Sequence, residues 1–235
     1  MFKLLVFFVL SVLTAVANAE VGCDVGLYNK YVSGVGSLLS KNHEPVAQGG
    51  CTKSFTNGMY VNGWMSQSLR NPGLDDTYAN ELDYTFGWAG KLAGKWSAET
   101  HLAYFDFTNP RLLSGTNGDM TNAGGKLQYG ATPTTSVYGL VGGYHGIGSL
   151  GFPGGWKAGF GTKSSMGPIA IDAVLIHNHN FFGRGEFVKV SLETVLPIAK
   201  VGNGELRPIL MLWHPYGRYA KTHESQLMVG ARMNW

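Results

Sequence analysis

The sequence predicts an all-β protein, a closed antiparallel transmembrane β-barrel of about twelve strands, with a range of ten to fourteen. Three observations predict it. Apolar and polar residues alternate at every second position through most of the chain, short and long connections alternate between the resulting segments, and large aromatic residues gather at both segment ends.

The chain opens with MFKLLVFFVLSVLTAVANAE, in which Lys3 precedes an apolar run from Leu4 to Leu13 and small residues at Ala17 and Ala19 stand before Glu20. This is the pattern of a cleavable signal peptide over residues 1–19, with the mature chain, 20–235, forming one domain. The apolar run is too short to span a bilayer comfortably, and no second candidate follows it, which argues against a helical membrane protein. Glu20, Val21 and Gly22 precede Cys23 where a lipoprotein would need a small apolar run, so that reading is rejected.

Composition agrees with strands and turns. There are 34 Gly, 12% aromatic residues and only 14% charged residues, a balance that favours β-structure with frequent turns over helices. The net charge of +3 comes with no block of Lys or Arg, which removes nucleic-acid binding.

The last segment shows the alternation most clearly. Leu227, Val229, Ala231, Met233 and Trp235 form one apolar row, while Glu224, Gln226, Arg232 and Asn234 occupy the other face. A strand between lipid and a wet lumen has this pattern. Leu82, Tyr84, Phe86 and Trp88 alternate with Glu81, Asp83, Thr85 and Gly87, and comparable rows run through 96–104, 156–161 and 188–196. The expected strands are 23–33, 46–54, 58–68, 79–89, 95–106, 119–130, 135–144, 155–164, 168–178, 185–197, 204–213 and 224–235. An even number returns both termini to one side, as closure of a bacterial barrel requires.

Connections after every second strand are short, at 55–58, 89–94, 131–134, 165–168 and around 200–204. The others, centred on 34–45, 69–78, 107–118, 145–154, 179–184 and 214–223, are mostly longer, which is the expected asymmetry between periplasmic turns and outer loops. Trp88, Trp96, Tyr129 and Trp235 fall at the short-turn end; Trp64, Tyr104, Phe107, Phe152, Trp156, Phe181, Phe182, Trp213 and Tyr216 fall at the long-loop end. Two aromatic belts suit two bilayer interfaces, and a lipocalin-like soluble barrel is the alternative.

Apolar residues at every second position before a final Trp235 resemble the C-terminal signal that the barrel-assembly machinery reads, with Leu227, Val229, Met233 and Trp235 carrying it. The segments GLYNKYVSGVG (26–36), AQGGCTKSFTNGMYVNGWMSQSL (47–69) and NELDYTFGWAG (80–90) resemble the porin family named for TorF. That family places an Arg-Gly pair after its first Tyr-rich strand, where this chain has Ser33-Gly34. The resemblance implies a porin-like role in the outer membrane of a Gram-negative-type bacterium: passive diffusion of small polar solutes or ions, with no cofactor and no enzymatic step.

The inward rows carry Glu81, Asp83 and Glu99 on the fourth and fifth strands and Lys126, Lys157 and Lys163 on the sixth and eighth, with Asp172, Lys189, Glu193, Arg207 and Arg232 around the rest of the wall. Opposite charges facing each other across a narrow lumen would select polar solutes by their field. The same side chains could instead pair and plug the barrel. Both readings stay open here. His177 and His179 share a strand face and could ligate a metal, but no Cys or carboxylate lies close in sequence to complete a shell, so a polar loop edge is expected and no metal.

Cys23 and Cys51 fall near the same end of the first hairpin, and an oxidising compartment would join them if the register sets them opposite. Two alternatives to a channel remain. One is a structural or receptor barrel that binds lipopolysaccharide or a partner through outer loops bearing Arg111, Arg218 and Lys221. The other is a lipid acyl hydrolase, for which the nearest motif, His177-Asn178-His179-Asn180, has His in the place of the nucleophilic Ser. Outer-membrane lipid surrounds the barrel in every reading, and assembly as a homo-oligomer is not decided.

Overall fold

The computed structural model describes residues 20–33, 39–40, 44–70, 80–106, 119–147, 154–179, 185–217, 220 and 223–235. The expected signal peptide at 1–19, the loop carrying Arg111, and both Arg218 and Lys221 lie outside the described residues.

The strands are β1 (Glu20–Tyr28), β2 (Val46–Ser54), β3 (Met59–Ser68), β4 (Glu81–Lys91), β5 (Trp96–Asp106), β6 (Asp119–Gly130), β7 (Thr135–Ile147), β8 (Gly155–Met166), β9 (Ile169–His179), β10 (Gly185–Thr194), β11 (Ala199–Val201), β12 (Gly204–Pro215) and β13 (Gln226–Asn234). Chain neighbours pair antiparallel except β10 and β11, which both pair β12, and β1 pairs both β2 and β13. The ring is therefore closed. Every strand but the three-residue β11 has a partner on both sides, which is what lets a sheet satisfy its backbone in hydrocarbon.

Thirteen strands fill twelve places in the wall. β10 and β11 are one wall strand interrupted by a bulge: the ladder to β12 runs to Glu193↔Ile209 and resumes at Ala199↔Leu206. Pro197 and Pro208 sit in that gap, and neither has an N–H to give a ladder. The expected tenth strand, 185–197, is thus shorter, and Val195 N–H donates to the Pro168 carbonyl at 2.7 Å. The first strand is also displaced: it spans Glu20–Tyr28 rather than 23–33, with Asn29 and Lys30 still hydrogen-bonded to Val229 and Gln226 of β13.

The short turns close with glycines where side chains are disfavoured. Gly58 (φ 86°) and Gly167 (φ 56°) take the left-handed conformation that ends β2–β3 and β8–β9.

Residues directly opposite in neighbouring strands share a face, so the register assigns every side chain to lumen or outer wall. Outward positions form an apolar belt. Leu102, Val141 and Phe160 are 62%, 63% and 64% exposed, and Leu27, Phe86, Leu175 and Val229 continue the belt around the ring. A lipocalin-like barrel turns its apolar row inward, so a hydrocarbon solvent on the outside is the account that fits this wall.

Of the expected aromatics, Trp88, Trp96, Tyr129 and Trp235 lie on the outer face at the short-turn end, with the Trp96 and Tyr129 rings 4.9 Å apart. Tyr104 and Trp156 face outward at the other end. Trp64 and Trp213 do not join that belt. Trp64 is opposite Asp83, and Trp213 opposite Lys189 and Gln226, all lumen positions. Phe107, Phe152, Phe181 and Phe182 lie outside the described residues.

Candidate functional site in the barrel lumen

All eleven predicted wall charges sit at inward positions. The register links Asp83 to Trp64 and Phe105, Glu99 to Lys126, Lys157 to Asn178, Lys163 to Asp172, Lys189 to Trp213, and Arg207 to Arg232. They divide into two groups with different surroundings.

The short-turn half of the lumen is polar and wet. Glu99 binds Lys126 at 2.7 Å and accepts the Tyr60 hydroxyl at 3.1 Å. Asp172 is 3.6 Å from Lys163 and accepts the Tyr138 hydroxyl at 2.6 Å, Arg207 binds Glu205 at 2.7 Å, and Arg232 binds Glu193. Side-chain exposures of 18–47% show that solvent reaches these pairs. Glu99 and Lys126 are thus cross-strand neighbours rather than opposed charges across the lumen, because parity fixes a face and not a partner. Partly hydrated pairs of this kind contribute about 0–1 kcal/mol each, so their weight is electrostatic patterning more than stability.

The long-loop half is packed. Glu81 and Asp83 stand on β4, six places around the ring of twelve from β10 and Lys189. Lys157 and Lys189 each hold Nζ 5.2 Å from an aromatic centroid, of Tyr144 and Trp213 respectively. Between the acidic and basic walls lie Phe187, Met120, Val46, Trp213 and Met228, all 3% exposed or less. An open pore would leave such inward side chains in water.

What sequence reasoning missed is the segment that follows β1. Tyr31, Val32 and Leu39 are buried in the same cluster. The Tyr31 hydroxyl donates to Glu81 Oε2 at 2.6 Å, and its ring lies 5.9 Å from that of Trp64. Tyr31 falls where alternation still reads as strand, and no local signal marks the inward turn.

On the outer rim, Trp156 packs against both His177 and His179, with centroids 5.2 and 5.6 Å away, and His177 Nδ1 lies 3.2 Å from Glu186 Oε1. Among the described residues no group of three or more His, Cys, Asp or Glu could hold a metal ion. A second pair escaped the sequence: His214 Nδ1 lies 2.8 Å from Ser225 Oγ. A hydrolytic triad needs in addition an acid or amide on the other ring nitrogen of the histidine.

At the short-turn end Cys23 is directly opposite Cys51, with Cα atoms 4.1 Å apart and the sulfurs bonded. Both face outward. Cys23 also exchanges backbone hydrogen bonds with Trp235, at 2.8 and 3.0 Å, so the first strand, the disulfide and the last residue meet at one seam. Leu227, Val229 and Met233 share the outward face of β13.

Among solved structures the chain is similar to the KdgM porin, with a TM-score of 0.61 over 90% of this chain and 97% of that one at 10% identity. The fold is that of a small outer-membrane porin. The NanC porin matches with a TM-score of 0.53 at 10% identity, covering 92% of this chain and 98% of that one. An outer membrane channel of Pseudomonas putida F1, COG4313, matches equally, with a TM-score of 0.53 at 10% identity over 94% and 96%. No protein-family profile matches the chain, and no curated protein matches its sequence.

Proposed function

We propose that this protein is a channel of the bacterial outer membrane through which small polar solutes or ions diffuse passively. The observation that carries the reading is the hydrated, charge-lined inner wall of the short-turn half, set in a closed ring whose outer wall is apolar. The cleaved signal at 1–19 and the assembly signal at Leu227, Val229, Met233 and Trp235 belong to this reading, as does the resemblance to the TorF-type porins. That resemblance rests on the first-half segments alone.

Discrete conductance steps from the refolded mature protein in a planar bilayer are expected. Protein that inserts and folds yet gives no step at any voltage sinks the proposal. A second reading, a barrel acting through its outer loops on lipopolysaccharide or a partner, is favoured by the packing of the long-loop half; the same silent bilayer together with lipopolysaccharide binding would support it. The proposed role needs no cofactor and no chemical step.

A further inference from the structure

We infer that the outer wall of the barrel carries a binding site for one phospholipid with an ammonium-bearing headgroup, phosphatidylethanolamine. Its acyl chains lie in a groove across β4 to β7, and its headgroup meets the carboxylates of Asp106 and Asp119 at the long-loop rim. The inference goes beyond the channel reading and does not need an open lumen.

The groove is built by a change of side-chain size along two outward rows. Phe86, Leu102, Ala123 and Gly143 are directly opposite one another in successive strands, and Tyr84, Tyr104, Thr121 and His145 form the next row toward the long loops. Large residues on β4 and β5 thus give way to small ones on β6 and β7, and Trp156 on β8, opposite Gly143, raises the wall again. The space measures about 810 Å³, the size of a small-ligand site. Ala103, Asn122 and Tyr144, whose side chains point the other way, are 3–8% exposed, which puts the opening on the outer side of the sheet.

Its position decides the class of occupant. The groove opens from the apolar belt that faces the bilayer, at the height of the outward Tyr104 and Trp156, so the outer leaflet supplies what fills it. Lipid chains are as apolar as the leucine and phenylalanine they touch, so filling the groove does not by itself favour one lipid over another. The rim supplies the choice. Tyr104 donates its hydroxyl to Asp119, Thr121 Oγ1 donates to the His145 carbonyl at 3.4 Å, and Asp106 continues the outward row of Tyr104 on β5. Among the described residues no Lys or Arg lines the groove. Two carboxylates without a lining cation attract an ammonium through charge-assisted hydrogen bonds. They disfavour a headgroup that carries only negative charge, such as phosphatidylglycerol or the phosphates of lipid A.

Native mass spectrometry of the full mature protein, released from detergent with equal amounts of phosphatidylethanolamine, phosphatidylglycerol and lipid A, tests this. Wild type is expected to retain phosphatidylethanolamine about tenfold more than either anionic lipid, the selectivity that one hydrogen bond to a charged group confers. Replacing both carboxylates, Asp106→Asn with Asp119→Asn, is expected to abolish that preference while lipid is still retained. Gly143→Leu, whose new Cβ would have only the Gly155 carbonyl oxygen nearby at 4.0 Å, fills the groove and should lower retention of every lipid. Gly139→Leu, on the same strand and face but outside the groove, should match wild type. No retention, equal retention of all three lipids by wild type, preference for lipid A, or equal loss in the two leucine variants would overturn the site. So would a dimer in wild type that Gly143→Leu abolishes, since the groove would then hold a second copy of the chain.

Discussion

At the scale of single residues, the lumen shows how little of a charge's role follows from its face alone. Glu99 and Lys126 are adjacent, partly hydrated and compensated, whereas Lys157 and Lys189 lean on aromatic rings. Cation–π contact of this kind leaves the positive charge uncancelled. Glu99→Gln removes the negative member of a pair and frees the Lys126 ammonium in the wet half. Selectivity should shift toward anions, read as a displaced reversal potential in a salt gradient, while stability changes by less than about 1 kcal/mol because the pair is screened. An unmoved reversal potential would place the pair off the ion path.

Elements are where lipid enters the argument. Phe160 projects from the middle of β8, opposite Gly139 and Leu175, and is one of the most exposed large side chains of the outer wall. Phe160→Arg should cost about 2–4 kcal/mol if that position is near the bilayer midplane. Denaturant titration of the protein folded in vesicles measures it, and a cost near zero would mean that water covers this stretch. The strands were readable in the sequence because period two in Glu81–Trp88 or Leu227–Trp235 records two solvents directly, and because turns such as Asn57-Gly58 punctuate it. Three features were not readable. Trp64 and Trp213 stand at the right height for an interface belt, but register parity turns them inward. The bulge between β10 and β11 depends on Pro208 of another strand facing the stretch around Pro197. The descent of Tyr31 depends on a carboxylate fifty residues away, and periodicity carries no distance information of that kind.

Over the whole molecule, the seam between first and last strands determines whether a twisted sheet becomes a ring. β1 and β13 share the register Asp24↔Asn234 to Tyr28↔Gly230, the Cys23–Trp235 backbone bonds extend it by one residue, and the disulfide ties the same strand to β2. With the cysteines 28 positions apart in sequence, the chain-entropy account assigns the cross-link about 3–4 kcal/mol. Reduction before unfolding should lower the denaturant midpoint by a corresponding amount without changing the β-sheet spectrum of the folded barrel. An identical midpoint in both redox forms would show that the ring constrains those residues without help.

The outward direction of that cystine separates it from everything the lumen carries. Any thiol or oxidant inside the ring lies on the opposite side of the sheet from the sulfurs, so the bond is approached from the outer face or the short-turn end. The redox state of the first hairpin is therefore set from outside the ring, independently of what the lumen holds.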